Sequence, residues 1–354
     1  MTRLPLAALL WLLPFCAFAD FAPAPPPPNL NLAPCRTATA AVHEQGFVMI
    51  GGIEQWVTIQ GASCANPVVL FVHGGPGNPL TPFADAVYGA WEKDFTLVQW
   101  DQRGAGRTFG RHPQAADATL TIEQMAQDGV EVAAYVTQRL GKQKVLLLGG
   151  SWGSILGVHM IKARPALFTA YVGAGQLVSY RDNPLASYQK TLALARAAND
   201  AKTLETLEAL GPPPWTNPRA FGVLRRATRL YEAKKSTPAP ADWWTLPAEY
   251  ATAERQAEYE AGEDYSYLQF VGLTGEGMLS KLNLPKLGLK FDVPVFIIEG
   301  EEDLVSTPEV AKAYFDAISA PRKEFVLLPK AGHDPNAATI AAEYRLLRSV
   351  ATPE

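Results

Sequence analysis

A chain of 354 residues, 48% of them hydrophobic, can bury one large core or a core that carries an inserted subdomain. Charged residues make up 19%, and a formal net charge of −4 with a pI near 5.8 argues against nucleic acid or an anionic membrane surface as a partner. Past the first few dozen residues the composition also argues against disorder and against a fibre.

The chain opens like a targeting segment. Arg3 supplies a positive start, Leu4 to Phe18 an apolar run, and Ala17-Phe18-Ala19 a small-x-small cleavage site before Asp20. Residues 1–19 are therefore expected to be a signal peptide, and the protein to be exported, periplasmic or secreted, with no membrane attachment after cleavage. The apolar run is too short to favour a membrane span. Cys16 follows the bulky Phe15, which fits a lipoprotein processing site poorly, so it reads as part of the apolar run. Residues 20–40 are a Pro-rich spacer, with Pro25 to Pro28 in a row. Cys35 and Cys64 are then the remaining cysteines. In an oxidising compartment such a pair is expected to form a disulfide, pinning the spacer to the loop between the second and third strands.

Phe47 to Ile50 and Trp56 to Gln60 read as an edge hairpin turned by Gly51-Gly52. Val68 to Val72 is an apolar third strand ending in His73-Gly74-Gly75-Pro76-Gly77, and Phe95 to Trp100 a fourth ending in Asp101-Gln102-Arg103-Gly104. Ile122 to Leu140 carries apolar residues at helical spacing and leads to the strand Val145 to Leu148. Ile155 to Ala163 is helical again, and Ala170 to Val172 a sixth strand. Residues 177–290 are rich in Ala, Leu and Glu at helical spacing, with no strand pattern. The alternation then resumes with Val295 to Ile298, a helix from Pro308 to Ile318, and Phe325 to Leu328. The expected fold is α/β: a doubly wound, mostly parallel sheet over 41–176 and 291–354, with an inserted helical cap over 177–290. Ligands bind at the carboxyl edge of such sheets.

The strand at 145–148 runs into Gly149-Gly150-Ser151-Trp152-Gly153, a Gly-x-Ser-x-Gly turn between strand and helix. Strand, sharp turn and helix make a nucleophile elbow, with the hydroxyl of Ser151 exposed at its apex. A serine hydroxyl needs a base, and the base an orienting acid. The order expected on such a sheet is Ser, then Asp or Glu, then His. Of the two later histidines, His159 lies two turns into a helix, whereas His333 follows the last strand in Ala331-Gly332-His333, where the base belongs. The strand 295–298 ends in Glu299-Gly300-Glu301-Glu302-Asp303; a turn at Gly300 brings Asp303 back over the edge and leaves Glu301 and Glu302 to solvent. Oxyanion donors are expected from the Trp152 N–H and from Gly74, with Gly75 the runner-up. His73 reads as a brace for that loop, as do Asp101 and Arg103. No cofactor and no metal are expected: His43-Glu44 lacks a second histidine four residues on, and no phosphate-binding glycine loop is present.

Together, His73-Gly-Gly-Pro-Gly77, Asp101-Gln-Arg-Gly104 and Gly149-Gly-Ser-Trp-Gly-Ser154 resemble the prolyl aminopeptidases (proline iminopeptidases), serine peptidases of the α/β-hydrolase fold. The resemblance spans roughly 45–175 and 290–340. It implies Ser151, Asp303 and His333 as the triad, Gly74 and Trp152 as the oxyanion hole, and release of an N-terminal residue, usually proline, from short peptides. It also implies cap glutamates that hold the substrate's free amine, one of them after a Trp-containing stretch. Here Trp243-Trp244 is followed by Thr245 and Leu246, so the expected carboxylates are Glu260, Glu263 and Asp264, beside Tyr259, Tyr265 and Tyr267. An esterase acting on small acyl substrates is the alternative on the same scaffold, and a catalytically dead binding protein a third reading.

Overall fold

The structure is a computed structural model that describes Cys35, residues 39–113 and residues 118–351. The expected signal peptide, and the spacer apart from Cys35, Thr39 and Ala40, lie outside the described residues. Two antiparallel strands, β1 (Val42–Ile50) and β2 (Ile53–Gly61), form the leading hairpin. Both extend past the apolar residues that announce them. The extra positions of β1, among them His43 and Gln45, are polar and face outward from an edge strand, so they carry no hydrophobic signal.

The chain then alternates between strand and helix. β3 (Val68–Val72), α1 (Ala84–Tyr88), β4 (Thr96–Trp100) and α2 (Gly106–Arg111) are followed by α3 (Ile122–Leu140), β5 (Val145–Gly150), α4 (Trp152–Ala163) and β6 (Phe168–Ala174). α3 starts where the Thr121 hydroxyl accepts the Gln124 N–H, and stops at Gly141, which takes the left-handed φ of 66° that a side chain would resist. A helical block comes next: α5 (Asp182–Ala197), α6 (Ala201–Leu210), α7 (Arg219–Glu232) and α8 (Ala253–Val271). β7 (Val295–Gly300), α9 (Pro308–Ala317), β8 (Lys323–Leu328) and α10 (Ala337–Val350) close the fold. The sequence pattern assigns no element to α10, although Asn336 caps it in a reciprocal box with Thr339.

The strands form one sheet in the order β1-β2-β4-β3-β5-β6-β7-β8. β2 is antiparallel to β1 and β4, and the remaining pairs are parallel, with Leu70 opposite Leu147 and Val172 opposite Phe296. This is the α/β-hydrolase architecture. Every residue of β3 and β4 is buried because both faces of the sheet are covered, which is why these strands read as unbroken apolar runs. Alternation along β3 assigns the faces: Leu70 and Val72 pack with α3, α4 and α9, whereas Val69 and Phe71 pack with α1 and α10. The helical block keeps a small core of its own around Tyr188, Leu207, Trp215 and Leu224. It is stitched to the sheet through α8, where the Ser266 hydroxyl donates to the Gly104 carbonyl at 2.7 Å and Phe270 meets the Trp152 ring edge-on at 5.3 Å.

Cys35 and Cys64 are joined in a disulfide, their Cα atoms 5.8 Å apart, which ties residue 35 to the loop between β2 and β3. Among the described residues no helix is long and apolar enough to cross a membrane.

Candidate active site

Ser151 sits between β5 and α4 with φ 51° and ψ −117°, a conformation that a non-glycine residue holds only at a cost of about 1–3 kcal/mol. The surroundings impose it. The Ser151 N–H donates to the Ala174 carbonyl of β6 at 2.9 Å, and the Ser151 carbonyl accepts from the Ser154 N–H and hydroxyl. Two neighbours must be glycine, because strand and helix nearly touch. A Cβ on Gly149 would lie 2.4 Å from the Gly153 carbonyl oxygen, and one on Gly153 only 1.9 Å from that of Val72.

His333, on the loop after β8, reaches Ser151 Oγ with Nε2 at 2.9 Å and Asp303 Oδ2 with Nδ1 at 2.8 Å. Asp303 lies in the turn after β7, fully buried, and also accepts the N–H groups of Val305 and Ser306 at 2.7 and 2.9 Å and the Ser306 hydroxyl at 2.5 Å. Burial alone would push this carboxyl up. The charge and hydrogen bond of His333, with those of Ser306 and Val305, outweigh burial and hold it at about 2. Asp303 is thus ionised and can only accept, so the His333 proton sits on Nδ1 and Nε2 is left to accept from Ser151. Burial lowers the His333 pKa, but Asp303 more than reverses this, and the net shift is upward.

A second carboxyl stands behind the first. Glu299 is fully buried, with Oε1 accepting the Gln176 N–H at 2.6 Å and Oε2 lying 3.0 Å from Ser306 Oγ. Burial, and then the negative charge of Asp303, drive its pKa well above the usual carboxylate range. The Ser306 hydroxyl lies between the two carboxyls, 2.5 Å from Asp303 Oδ2 and 3.0 Å from Glu299 Oε2.

On the other side of Ser151, a Cβ on Gly74 would lie 3.3 Å from the serine Cβ, so the loop after β3 passes directly beside it. Trp152 opens α4, and its N–H is among those without an intrahelical acceptor. His73 donates from Nδ1 to the Gly74 carbonyl at 2.9 Å and accepts the Gln102 N–H on Nε2 at 3.2 Å. Burial lowers its pKa to about 4, so it stays neutral and serves as a brace. The expectation for Arg103 needs correction: it bonds Asp128 on α3 and the Gly51 carbonyl, away from this loop. Asp101 takes the Thr81 hydroxyl and the Arg107 N–H. Gln102 is the direct brace, donating to the His73 carbonyl and accepting from the Trp152 indole, both at 2.9 Å.

These groups open on a cavity of about 1160 Å³ lined by Gly74, Gly75, Ser151, Asp303 and His333 together with residues of α7 and α8. Of the three acids expected to face it, Glu263 lines the wall, whereas Glu260 and Asp264 are exposed and lie outside the lining. A helix turns about 100° per residue, so neighbours of a lining position point elsewhere. Glu232, which sequence reasoning missed, is buried at the wall. It accepts the Leu304 N–H at 2.8 Å and pairs with Arg225 at 3.1 Å, and Arg225 also reaches Asp334, beside His333, at 2.9 Å. The seven-residue spacing of Arg225 and Glu232, which puts both on one helix face, was the available signal. His159 is half-buried in α4, where burial lowers its pKa, and does not line the cavity. Among the described residues no group of three or more His, Cys, Asp or Glu is placed to hold a metal ion.

Residues 67–337 match the family model of the alpha/beta hydrolase fold. The probable aminopeptidase YbaC of Bacillus subtilis (strain 168) is 27% identical over 294 residues, covering 81% of this chain and 89% of that protein. The proline iminopeptidase of Neisseria meningitidis serogroup B (strain ATCC BAA-335 / MC58) is 25% identical over 304 residues, with the same coverage of 81% and 89%. The crystal structure of the Mycobacterium smegmatis proline iminopeptidase shares the fold at a TM-score of 0.61 and 21% identity, over 86% of this chain and 98% of that one. A family model that runs from the residue before β3 to the residues just past His333 takes in Ser151, Asp303 and His333, and the chain belongs to the alpha/beta hydrolase fold family, where it is similar to the prolyl aminopeptidases.

Proposed function

We propose that this protein is an exported serine hydrolase, an aminopeptidase that releases N-terminal residues, proline preferred, from short peptides. The observation that carries the reading is the continuous hydrogen-bonded line from Ser151 Oγ through His333 to Asp303. In the proposed reaction Ser151 Oγ attacks the first carbonyl carbon of the peptide while His333 Nε2 takes its proton. The oxyanion is held by the N–H groups of Trp152 and Gly74. The C–N bond breaks as His333 returns the proton to the leaving amine, and water, activated by the same imidazole, then releases the acyl group from Ser151. Asp303, already ionised, stabilises the imidazolium without taking its proton. Glu263 partners the substrate ammonium, and residues 177–290 act as a cap over a hydrolase core formed by 41–176 and 291–354. The names of the relatives support the peptidase class. Export is supported by the pattern of residues 1–19 and by the Cys35–Cys64 bond, which suits an oxidising compartment.

One observation favours the esterase reading: Glu232 is already occupied by Arg225 and Leu304, and Glu263 is exposed, so the part of the wall built by α7 and α8 offers an ammonium little dry carboxylate. Hydrolysis of prolyl-naphthylamide, its N-acetylated form and a short nitrophenyl ester separates the two. Equal cleavage of free and N-acetylated arylamide would sink the aminopeptidase reading. Failure of a fluorophosphonate to label Ser151 would sink both.

A further inference from the structure

The cavity does not end at the serine. Part of its wall is Phe71, Tyr88, Leu148, Ile298 and Glu343, residues of the layer between the sheet and helices α1 and α10. Glu343 projects from α10, is only 3% exposed, and is met by one hydroxyl, Tyr88 Oη, at a long 3.5 Å. A buried carboxyl normally gathers several donors or a cation. Here burial pushes it up to about 8, the Tyr88 hydrogen bond only partly opposes this, and among the described residues no basic group offsets it. The rings of Phe71 and Tyr88, with centroids 4.5 Å apart, line the same cavity. A carboxyl without a counter-charge, walled by aromatic rings and open to the substrate cavity, has the chemistry of an ammonium receptor.

We propose that Glu343 is the recognition carboxylate of a deep subsite that takes an ammonium group of the substrate. The proposal rests on the Ser151 cavity being the substrate site. It is separate from the carboxylates of α7 and α8, because Glu343 belongs to the sheet-packing layer of the core. An ammonium entering here supplies the missing counter-charge and lies against aromatic faces. The same chemistry serves two sources, the α-ammonium of a peptide or the side-chain ammonium of a lysine-like residue.

The test is a ligand-observed NMR titration of the full chain at pH 8.5 with n-hexylammonium and with n-hexanol, its neutral counterpart. Wild type should bind the ammonium at least about tenfold more tightly than the alcohol. Glu343→Gln and Glu343→Leu should lose that preference; the leucine suits the apolar layer around Ile340 and Leu347 and keeps the test open if the amide disturbs folding. Titrating Nα-acetyl-lysine amide and norleucine amide then assigns the source, since the probe whose binding weakens in Glu343→Gln carries the recognised ammonium. Absence of the preference in wild type, or its survival in both Glu343 variants, overturns the proposal. Because binding and not turnover is read, failure to cleave arylamides would remove the aminopeptidase reading and leave this one standing.

Discussion

The two sides of the cavity are built by opposite rules. On the sheet side each group is held from several directions: Asp303 accepts from four donors, His333 is held from both ring nitrogens, and Ser151 is fixed at its N–H, carbonyl and hydroxyl. On the helical side the wall carries one exposed carboxylate, Glu263, and one already committed, Glu232. Bond-making chemistry tolerates little displacement, so its groups are over-determined; a wall that selects among substrates can be looser. Changes on the sheet side should therefore cost rate or folding, and changes at the exposed part of the helical wall, Glu263 foremost, should cost selectivity.

The largest effect is expected from Ser151→Ala: a fall in turnover of at least about a hundred-thousandfold with the melting temperature nearly unchanged, since one cavity-facing hydroxyl is lost. Steady-state kinetics beside a thermal melt checks both halves. Asp303→Asn should cost up to about ten thousandfold, because the amide can no longer fix the Nδ1–H tautomer. It should also move the acid limb of kcat/KM. His333 acts as a base only when neutral, and Asp303 raises its pKa, so the wild-type rate climbs with pH through a value above 6.5. Without the carboxylate the residual activity should climb at lower pH, and an unmoved limb would detach His333 from Asp303.

Within the elbow two glycines make a sharper contrast. Gly153→Ala drives a Cβ to 1.9 Å from the Val72 carbonyl and should destabilise by more than about 3 kcal/mol. Gly150→Ala meets nothing within 4 Å and should stay within about 1 kcal/mol of wild type by urea denaturation. Cys64→Ser should cost about 3 kcal/mol through the lost 29-residue loop constraint, read from the same urea curves. The smallest effect belongs to Glu263→Gln: about a tenfold rise in KM for free-amine substrates relative to N-acetylated ones, worth roughly 1.4 kcal/mol. Equal changes for both substrates would take Glu263 out of amine recognition.

What the sequence discloses follows the same division. The apolar runs 68–72 and 145–148 announce strands because covered faces demand apolar residues, and the elbow shows itself because only glycines fit beside Ser151. His333 and Asp303 could be singled out because each follows a strand at the carboxyl edge. Gln102 and Glu343 could not, and Glu232 left only its seven-residue spacing from Arg225 as a signal. Each is a polar residue whose importance comes from tertiary burial, and Glu343, followed by Tyr344 and Arg345 on a helix, reads from sequence as a solvated face. Arg103 misled for a related reason: its place beside Asp101 and Gln102 says nothing of Asp128, which lies 25 residues away and captures it.

One helix of the upper wall has a consequence for anyone who would exchange parts between such enzymes. Through Glu232 and Arg225, α7 grips the Leu304 backbone next to the acid and Asp334 next to the base. The helical block is thus no interchangeable lid. A chimera that imports a foreign block to change what is cut would release both turns at once, unless it brought an arginine and a glutamate seven residues apart on the matching helix. Transplants that keep this pair should retain turnover on small esters, and those that drop it should lose rate before they gain any new selectivity.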